Sequence, residues 1–391
     1  MMKHKILLFI LLISSFLSLS AQQMPIIAYM GVPDWQTKDE HFRNLAECGF
    51  NVSIYPYANL DLLVKACRYA EKYGVKVLAT CPEMTSDPRK AALTLKDEKG
   101  FFGYSIQDEP SVPDILLRQK EIERLREHDS THCFYINLLP FYKDEWFYPV
   151  AKAKSYEDYL RTASATSCQQ LSFDFYPVTK DGIRPTWYDN LEKVRKESMR
   201  SKKPFWAFVL SVPHADYPQP TAASLRLQAY SDLAYGAQAI QYFTYWTPGK
   251  NEGYDYHDAP IARDGSKTPT YALVQAMNRE LHALSPLFYG AEVVSVRHLK
   301  VIPEGTSALT VAPANLSSLK IKGKEGAIVS QLRKDNKLYM AIVNKSLTDP
   351  MKVTIKTRND KPRHVTKQLK EEQLDSQYTV DEGDILIVRL K

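Results

Sequence analysis

Eight short apolar runs alternate with amphipathic stretches between Pro25 and Leu287, after which the pattern changes to period-two alternation up to the C-terminus. The aromatic residues divide at the same place: of 44 Phe, Trp and Tyr, 40 fall in 22–290, and only Tyr339 and Tyr378 fall beyond. Together these predict an α/β chain, a (β/α)8 TIM barrel followed by a small all-β sandwich. A doubly wound sheet shares the strand–helix alternation, but it carries a glycine-rich turn after its first strand. Here that turn reads Met30-Gly31-Val32-Pro33-Asp34-Trp35, with no GxGxxG and with a tryptophan in the loop. The barrel is therefore preferred.

The predicted strands are 26–30, 51–55, 76–81, 101–107, 133–138, 170–176, 205–212 and 239–245. Each is a near-continuous apolar run, as expected of strands buried on both faces. Helical periodicity predicts helices over 37–48, 60–73, 112–127, 156–166, 187–200, 222–235 and 270–284. The first two stop at Gly49 and Gly74, where left-handed caps are expected. Beyond residue 290, 327–344 reads as two strands joined at Asp335-Asn336. Residues 351–357, 378–380 and 385–390 extend that pattern, with Gly383 in the last turn.

Before the barrel, a basic start with Lys3 and Lys5 leads into an apolar run over 6–13 and then Ser18-Leu19-Ser20-Ala21. This is the pattern of a signal peptide cleaved after Ala21, so the mature chain is expected in the periplasm or outside the cell. The run is too short to span a bilayer, and no stable membrane insertion is expected. The chain thus divides into a leader over 1–21, a barrel domain over 22–289 and a C-terminal β-sandwich domain over 290–391.

Charge follows the division. Residues 291–391 carry 18 Lys+Arg against 12 Asp+Glu, while 22–290 is slightly acidic. A nucleic-acid reader interleaves aromatics with its basic residues. The basic segment here has almost none, so its charge reads as solvated surface and no nucleic-acid partner is expected. Cys48, Cys67, Cys81, Cys133 and Cys168 are odd in number and form no CxxC pair. Buried free thiols are expected in a barrel large enough to need no staples. No His/Cys spacing resembles a metal site, and no metal or cofactor is expected.

In a barrel, functional side chains stand at the C-terminal ends of the strands. That rule selects Asp34 and Trp35 after strand one, Tyr55, Tyr57 and Asn59 after strand two, and Glu83 after strand three. Strand four ends in Gln107-Asp108-Glu109-Pro110, strand five at Asn137, and strand six at Asp174 and Tyr176. Strand seven runs into Ser211, His214 and Asp216, and strand eight into Tyr245, Trp246 and, further along, Glu252. Aromatic rings suit the C–H faces of sugars, and carboxylates and amides suit their hydroxyls, so a carbohydrate is the expected substrate. Trp35, Tyr55, Tyr57, Glu83, Asp108, Asn137, Tyr176, His214, Tyr245, Trp246 and Glu252 are the candidate binding residues. Cleaving a glycosidic bond needs two carboxyl groups, for which Glu109 as general acid and Asp174 as its partner are the candidates. Adjacent carboxylates at 108 and 109 repel, which raises one pKa as a general acid requires.

The run Phe102-Gly103-Tyr104-Ser105-Ile106-Gln107-Asp108-Glu109-Pro110 resembles the fourth-strand signature of clan A glycoside hydrolases, where Asn-Glu-Pro carries the acid/base glutamate. Ile240-Gln241-Tyr242-Phe243-Thr244-Tyr245-Trp246 is similar to a clan A eighth strand ending in a sugar-stacking tryptophan. Asp264-Gly265-Ser266-Lys267-Thr268-Pro269-Thr270-Tyr271 and Asn278-Arg279-Glu280-Leu281 resemble the closing segment of barrels related to family 42 beta-galactosidases. The resemblance implies an exported glycoside hydrolase with Glu109 as acid/base.

Two departures qualify what it implies. Position 108 is Asp where the clan has Asn, and strand seven, Pro204 to His214, lacks the clan's nucleophilic Glu. The second carboxylate must then come from another strand end, Asp174, Glu83 or Glu252. Strands that far apart leave room for a water, so an inverting geometry with Asp174 as base is expected. The alternative is a barrel that binds carbohydrate without hydrolysing it, and a further one is a scaffold for surface assembly.

Overall fold

The computed structural model describes residues 23–250 and 254–391, so the leader and Glu252 lie outside the described residues. Eight parallel strands close into a barrel in which sequence neighbours pair and strand one pairs with strand eight. In order they are Ile26–Tyr29, Val52–Pro56, Lys76–Thr80, Phe101–Asp108, Cys133–Leu138, Leu171–Phe173, Phe205–Leu210 and Ala239–Phe243.

Side chains sort by strand face. Ile27, Val52, Ile54, Leu78, Tyr135, Trp206 and Ala239 fill the barrel interior. The opposite faces, among them Ile26, Ala28, Val77, Phe134 and Ile240, pack in a continuous layer under the helices. Local signals start and stop those helices. Asn59 caps Leu60–Glu71 by accepting from the Leu62 N–H at 2.9 Å, and Ser155 caps Tyr156–Ser164 by accepting from Asp158 at 3.0 Å. Gly49 follows the first helix at φ 90°, a conformation that strains any residue with a Cβ.

Several short elements were not anticipated. Strands three and four are joined by helices Glu83–Ser86 and Pro88–Leu95, and Asp144–Ala151 follows strand five. Pro88 at the first helical position with Asp87 as cap is a legible start signal. Pro149 inside Asp144–Ala151 hides that helix from a periodicity argument.

The barrel's last helix, Pro269–Phe288, leads into an antiparallel β part beginning at Glu292–Leu299. A six-stranded sheet, with Ala327–Lys334 and Lys337–Asn344 central, faces a three-stranded sheet of Leu316–Lys322, Met351–Thr357 and Gln377–Val380. Val329, Met340, Ile342, Val353, Ile355 and Val388 fill the space between them, which makes a sandwich. The larger sheet's other face rests on the barrel. Ile328, Leu332, Ala341, Val343 and Ile387 join the same core as Leu227, Tyr230 and Leu233 of the Ala222–Tyr235 helix. Gly383 touches that helix: a Cβ there would lie 2.2 Å from the Ala223 carbonyl oxygen. All five cysteines are free thiols. No helix of the described residues is long and apolar enough to cross a membrane.

Candidate active site

Strand four makes the site by departing from regular pairing. Its register against strand five shifts between Ser105 and Gln107. Ile106 packs on the helix layer, and Gln107 also faces the helices, accepting from Arg118 Nε at 2.6 Å. Two consecutive residues on one face are what a β-bulge permits, and the phase change turns Asp108 inward. Glu109 then has φ 45°, in the left-handed region, while its N–H donates to the Asn137 carbonyl at 2.9 Å. An extended residue at 109 would send its side chain to the opposite face from Asp108. The left-handed turn instead brings both carboxyls to one cavity, a local strain of the kind that concentrates at functional sites.

That cavity, about 300 Å³, lies at the C-terminal mouth of the barrel. Asp108, Glu109, Asn137 and Asp174 form its polar side, and Tyr29, Tyr142, Trp146, Tyr176, Phe208, His214, Tyr217, Phe243, Tyr254 and Tyr256 form the aromatic remainder. A directed hydrogen-bond chain positions the polar side from below. Tyr135 Oη donates to Gln241 Oε1 at 2.9 Å, Gln241 Nε2 to Ser172 Oγ at 2.8 Å, and Ser172 Oγ to Asn137 Oδ1 at 2.9 Å. Asn137 Nδ2 then donates to Asp108 Oδ1 at 3.1 Å and to Asp174 Oδ1 at 3.0 Å. The chain leaves Asn137 with its amide committed in one orientation, so both aspartates are held without a cation.

Three carboxyls share this space. Asp108 and Glu109 are exposed at the cavity mouth, where the aromatic lining stands around them. Poor solvation, then the nearby Asp108 charge, pushes the Glu109 pKa up to about 7, against a hydrogen bond with Asp174 that pulls it down. Asp174 is buried, and desolvation with the charges of Glu109 and Asp108 raises it well above the ordinary range. Asp108 is raised by desolvation, opposed by bonds from Tyr29 and Asn137. At neutral pH the Glu109–Asp174 pair therefore retains a proton.

Asp174 directly follows strand six, which ends at Phe173, and it lies close enough to Glu109 for the ionisation of the two carboxyls to be linked.

The rings of the aromatic wall pack edge to face or tilted. Tyr29 lies 5.4 Å from Phe208, and Tyr176 lies 5.6 Å from Phe243 and 5.9 Å from Tyr217, centroid to centroid. His214 sits between Tyr217 at 4.8 Å and Tyr256 at 4.5 Å. Burial lowers its pKa, so it serves as a neutral ring in this wall. Asp216 pairs instead with Arg184 at 3.0 Å, which pins the loops after strands six and seven together.

Other expected binding residues lie elsewhere. Strand eight stops at Phe243, so Phe243, not Tyr245 or Trp246, faces the cavity. Tyr245 and Trp246 turn out of the barrel mouth as their N–H groups bond to the Tyr29 and Met30 carbonyls. Tyr245 is buried 5.3 Å from Phe50, and Trp246 is buried edge-on to His41 at 5.1 Å. Glu83 opens the short Glu83–Ser86 helix, and the backbone N–H groups near it hold its carboxylate low against burial. It does not line the cavity. Tyr57 is buried and donates to the Val32 carbonyl at 3.3 Å. Trp35, exposed, stands edge-on to Tyr55 at 5.7 Å, and neither lines the cavity. The residues that sequence reasoning missed include Tyr142 and Trp146, which sit just after strand five where the strand-exit rule could have found them.

No protein-family model matches the sequence, and no curated protein is similar to it. Solved structures are similar in fold. A family 42 beta-galactosidase from G. stearothermophilus aligns at TM-score 0.62 and 9% identity, over 95% of this chain and 98% of that one. A beta-galactosidase from Bacillus circulans sp. alkalophilus aligns at 0.62 and 10%, over 94% and 99%. A glycoside hydrolase family 5 protein from Bacteroides vulgatus aligns at 0.57 and 12%, over 93% and 88%. The chain spans 60% of the length of a beta-galactosidase from Marinomonas ef1. The barrel and the sandwich after it thus have the fold of clan A glycoside hydrolases such as these.

Proposed function

We propose that this protein is an exported glycoside hydrolase in which Glu109 protonates the departing oxygen. The supporting observation is the Glu109 carboxyl itself: it stands in an aromatic-walled cavity beside Asp108, and its pKa is pushed up to about 7. A general acid is most effective when its pKa is near the working pH. The cavity lies at the small end of the usual ligand-site range of about 300–1,000 Å³, which suits one sugar ring and not a long chain. Asp108, oriented by Asn137, supplies a hydroxyl- or amide-binding group.

The test is turnover of Glu109→Gln on paired substrates. Natural glycosides with poor leaving groups are expected to lose orders of magnitude, and activated aryl glycosides much less, because their leaving group hardly needs a proton. Equal losses on both would mean that Glu109 is structural. Glycan binding without hydrolysis of any substrate would leave a carbohydrate-binding barrel.

A further inference from the structure

If the glycosidase reading holds, on which this inference rests, the cavity still needs a group to attack the anomeric carbon as the aglycone leaves. Among the described residues its carboxyls are Asp108, Glu109 and Asp174, all on the strand-four to strand-six side. Glu109 is the acid of the proposed function, and Asp174 is buried and held by Asn137 Nδ2 at 3.0 Å. The facing wall from strands seven and eight is Phe208 and Phe243, backed by Tyr176 and Tyr29. Of the phenols lining the cavity, Tyr29, Tyr142, Tyr176, Tyr217 and Tyr256 are all held above their ordinary pKa, chiefly by burial, so none of these offers a phenolate. A nucleophile carried by the substrate removes the difficulty.

We propose that the site takes glycosides of 2-acetamido-2-deoxy sugars in the 1,2-trans configuration, with the substrate's acetamido oxygen as nucleophile, Glu109 as acid/base and Asp108 as acceptor of the acetamido N–H. Three features of the site fit such a group. Asp108 directly precedes Glu109, and both face one cavity because of the bulge at Ile106 and the left-handed turn at Glu109. The Asp108 carboxylate is fixed by Asn137 Nδ2 at 3.1 Å, and it remains open to the cavity for a further donor. An acetamide is apolar at its methyl end and a hydrogen-bond donor at its nitrogen, which matches an aromatic wall facing a carboxylate.

In the first step the C1–O bond to the aglycone breaks, and its electron pair takes the proton of Glu109. The acetamido carbonyl oxygen bonds to C1, forming an oxazolinium ring whose N–H is held by Asp108. In the second step Glu109, now ionised, takes a proton from water as the water oxygen bonds to C1. The ring C–O bond then breaks and the acetamide is restored. Two displacements at C1 give net retention.

The experiment compares p-nitrophenyl N-acetyl-β-glucosaminide and -galactosaminide with the matching β-glucoside and β-galactoside on the full chain. Turnover is expected on an acetamido substrate and on the order of 100-fold less on its 2-hydroxy partner. Replacing the acetyl methyl hydrogens stepwise by fluorine should lower kcat/KM at each step, because the attacking oxygen loses electron density. A sugar thiazoline, which mimics the fused ring, should inhibit competitively. Asp108→Asn should lose on the order of 100-fold in kcat on the acetamido substrate. Glu109-dependent hydrolysis of 2-hydroxy glycosides, insensitive to the thiazoline, would overturn this proposal and leave the glycosidase reading standing. Loss of all turnover in Glu252→Gln with Asp108→Asn still active would also overturn it, since a protein carboxylate would then be the nucleophile. Hydrolysis of no glycoside would overturn both.

Discussion

Glu109 combines a left-handed backbone with a carboxyl that titrates near neutrality, and the two have one origin. The turn that breaks strand alternation places the side chain beside Asp108 and against Asp174, where ionisation is disfavoured. Since a general acid must be protonated, kcat/KM is expected to fall as pH rises through about 7. Removing the Asp108 charge in Asp108→Asn removes one cause of the elevation, so the residual activity should lose its alkaline limb at lower pH. Stability carries the same sign. A carboxyl whose pKa rises on folding, here from 4.5 to about 7, binds more protons in the folded state, so stability falls with rising pH across that window. Glu109→Gln should therefore raise Tm relative to the parent more at pH 8 than at pH 4. A constant Tm difference across that range would mean that the carboxyl titrates normally.

At the scale of elements, the barrel was legible because strands buried on both faces leave continuous apolar runs, and the helices between them have periodic faces and caps. The strand exits were not legible to the same degree. Asp108, Glu109, Asn137, Asp174, Tyr176 and His214 meet in one cavity as the strand-end rule expects. Tyr245 and Trp246 do not, because strand eight stops pairing at Phe243 and the next residues bond back to strand one's exit. Nothing in Phe243-Thr244-Tyr245-Trp246 marks which aromatic is the last to face inward. The bulge at Ile106 is likewise a property of the strand-four to strand-five pairing, with no local residue that signals it. Trp246 supplies a test. Buried against His41 and Gly265, it should cost about 3–5 kcal/mol when replaced by Ala and leave KM unchanged. Chemical denaturation and steady-state kinetics on the same variant decide; a raised KM with unchanged stability would restore it as a sugar platform.

At the scale of the molecule, the two parts share one core, since the Ala222–Tyr235 helix is buried between the barrel and the larger sheet. A chain ending near Ser285 would expose that helix's outer face, so the full chain should melt in a single calorimetric transition and the truncated one should lose cooperativity. Two resolved transitions in the full chain would show the parts to be independent. The contact also holds a charge network. Glu280, on the barrel's last helix, accepts from Arg226, the Tyr230 hydroxyl and, across the junction, Lys367, which also pairs with Asp384 of the sandwich at 2.7 Å. Burial pushes the Glu280 pKa up, but those donors outweigh it and bring it down to about 2 from 4.5. A carboxylate lowered on folding stabilises the fold above its unfolded pKa, so this contribution is whole at neutral pH and is lost as pH falls from about 4.5 towards 2. The shift corresponds to about 3 kcal/mol at neutral pH. Glu280→Gln keeps the shape and removes the charge, leaving Arg226 and Lys367 with Asp384 alone. It should lower Tm at pH 7, and the deficit should shrink steadily as the pH is taken down towards 3. A Tm deficit independent of pH would assign the loss to packing at the junction and not to the ion network.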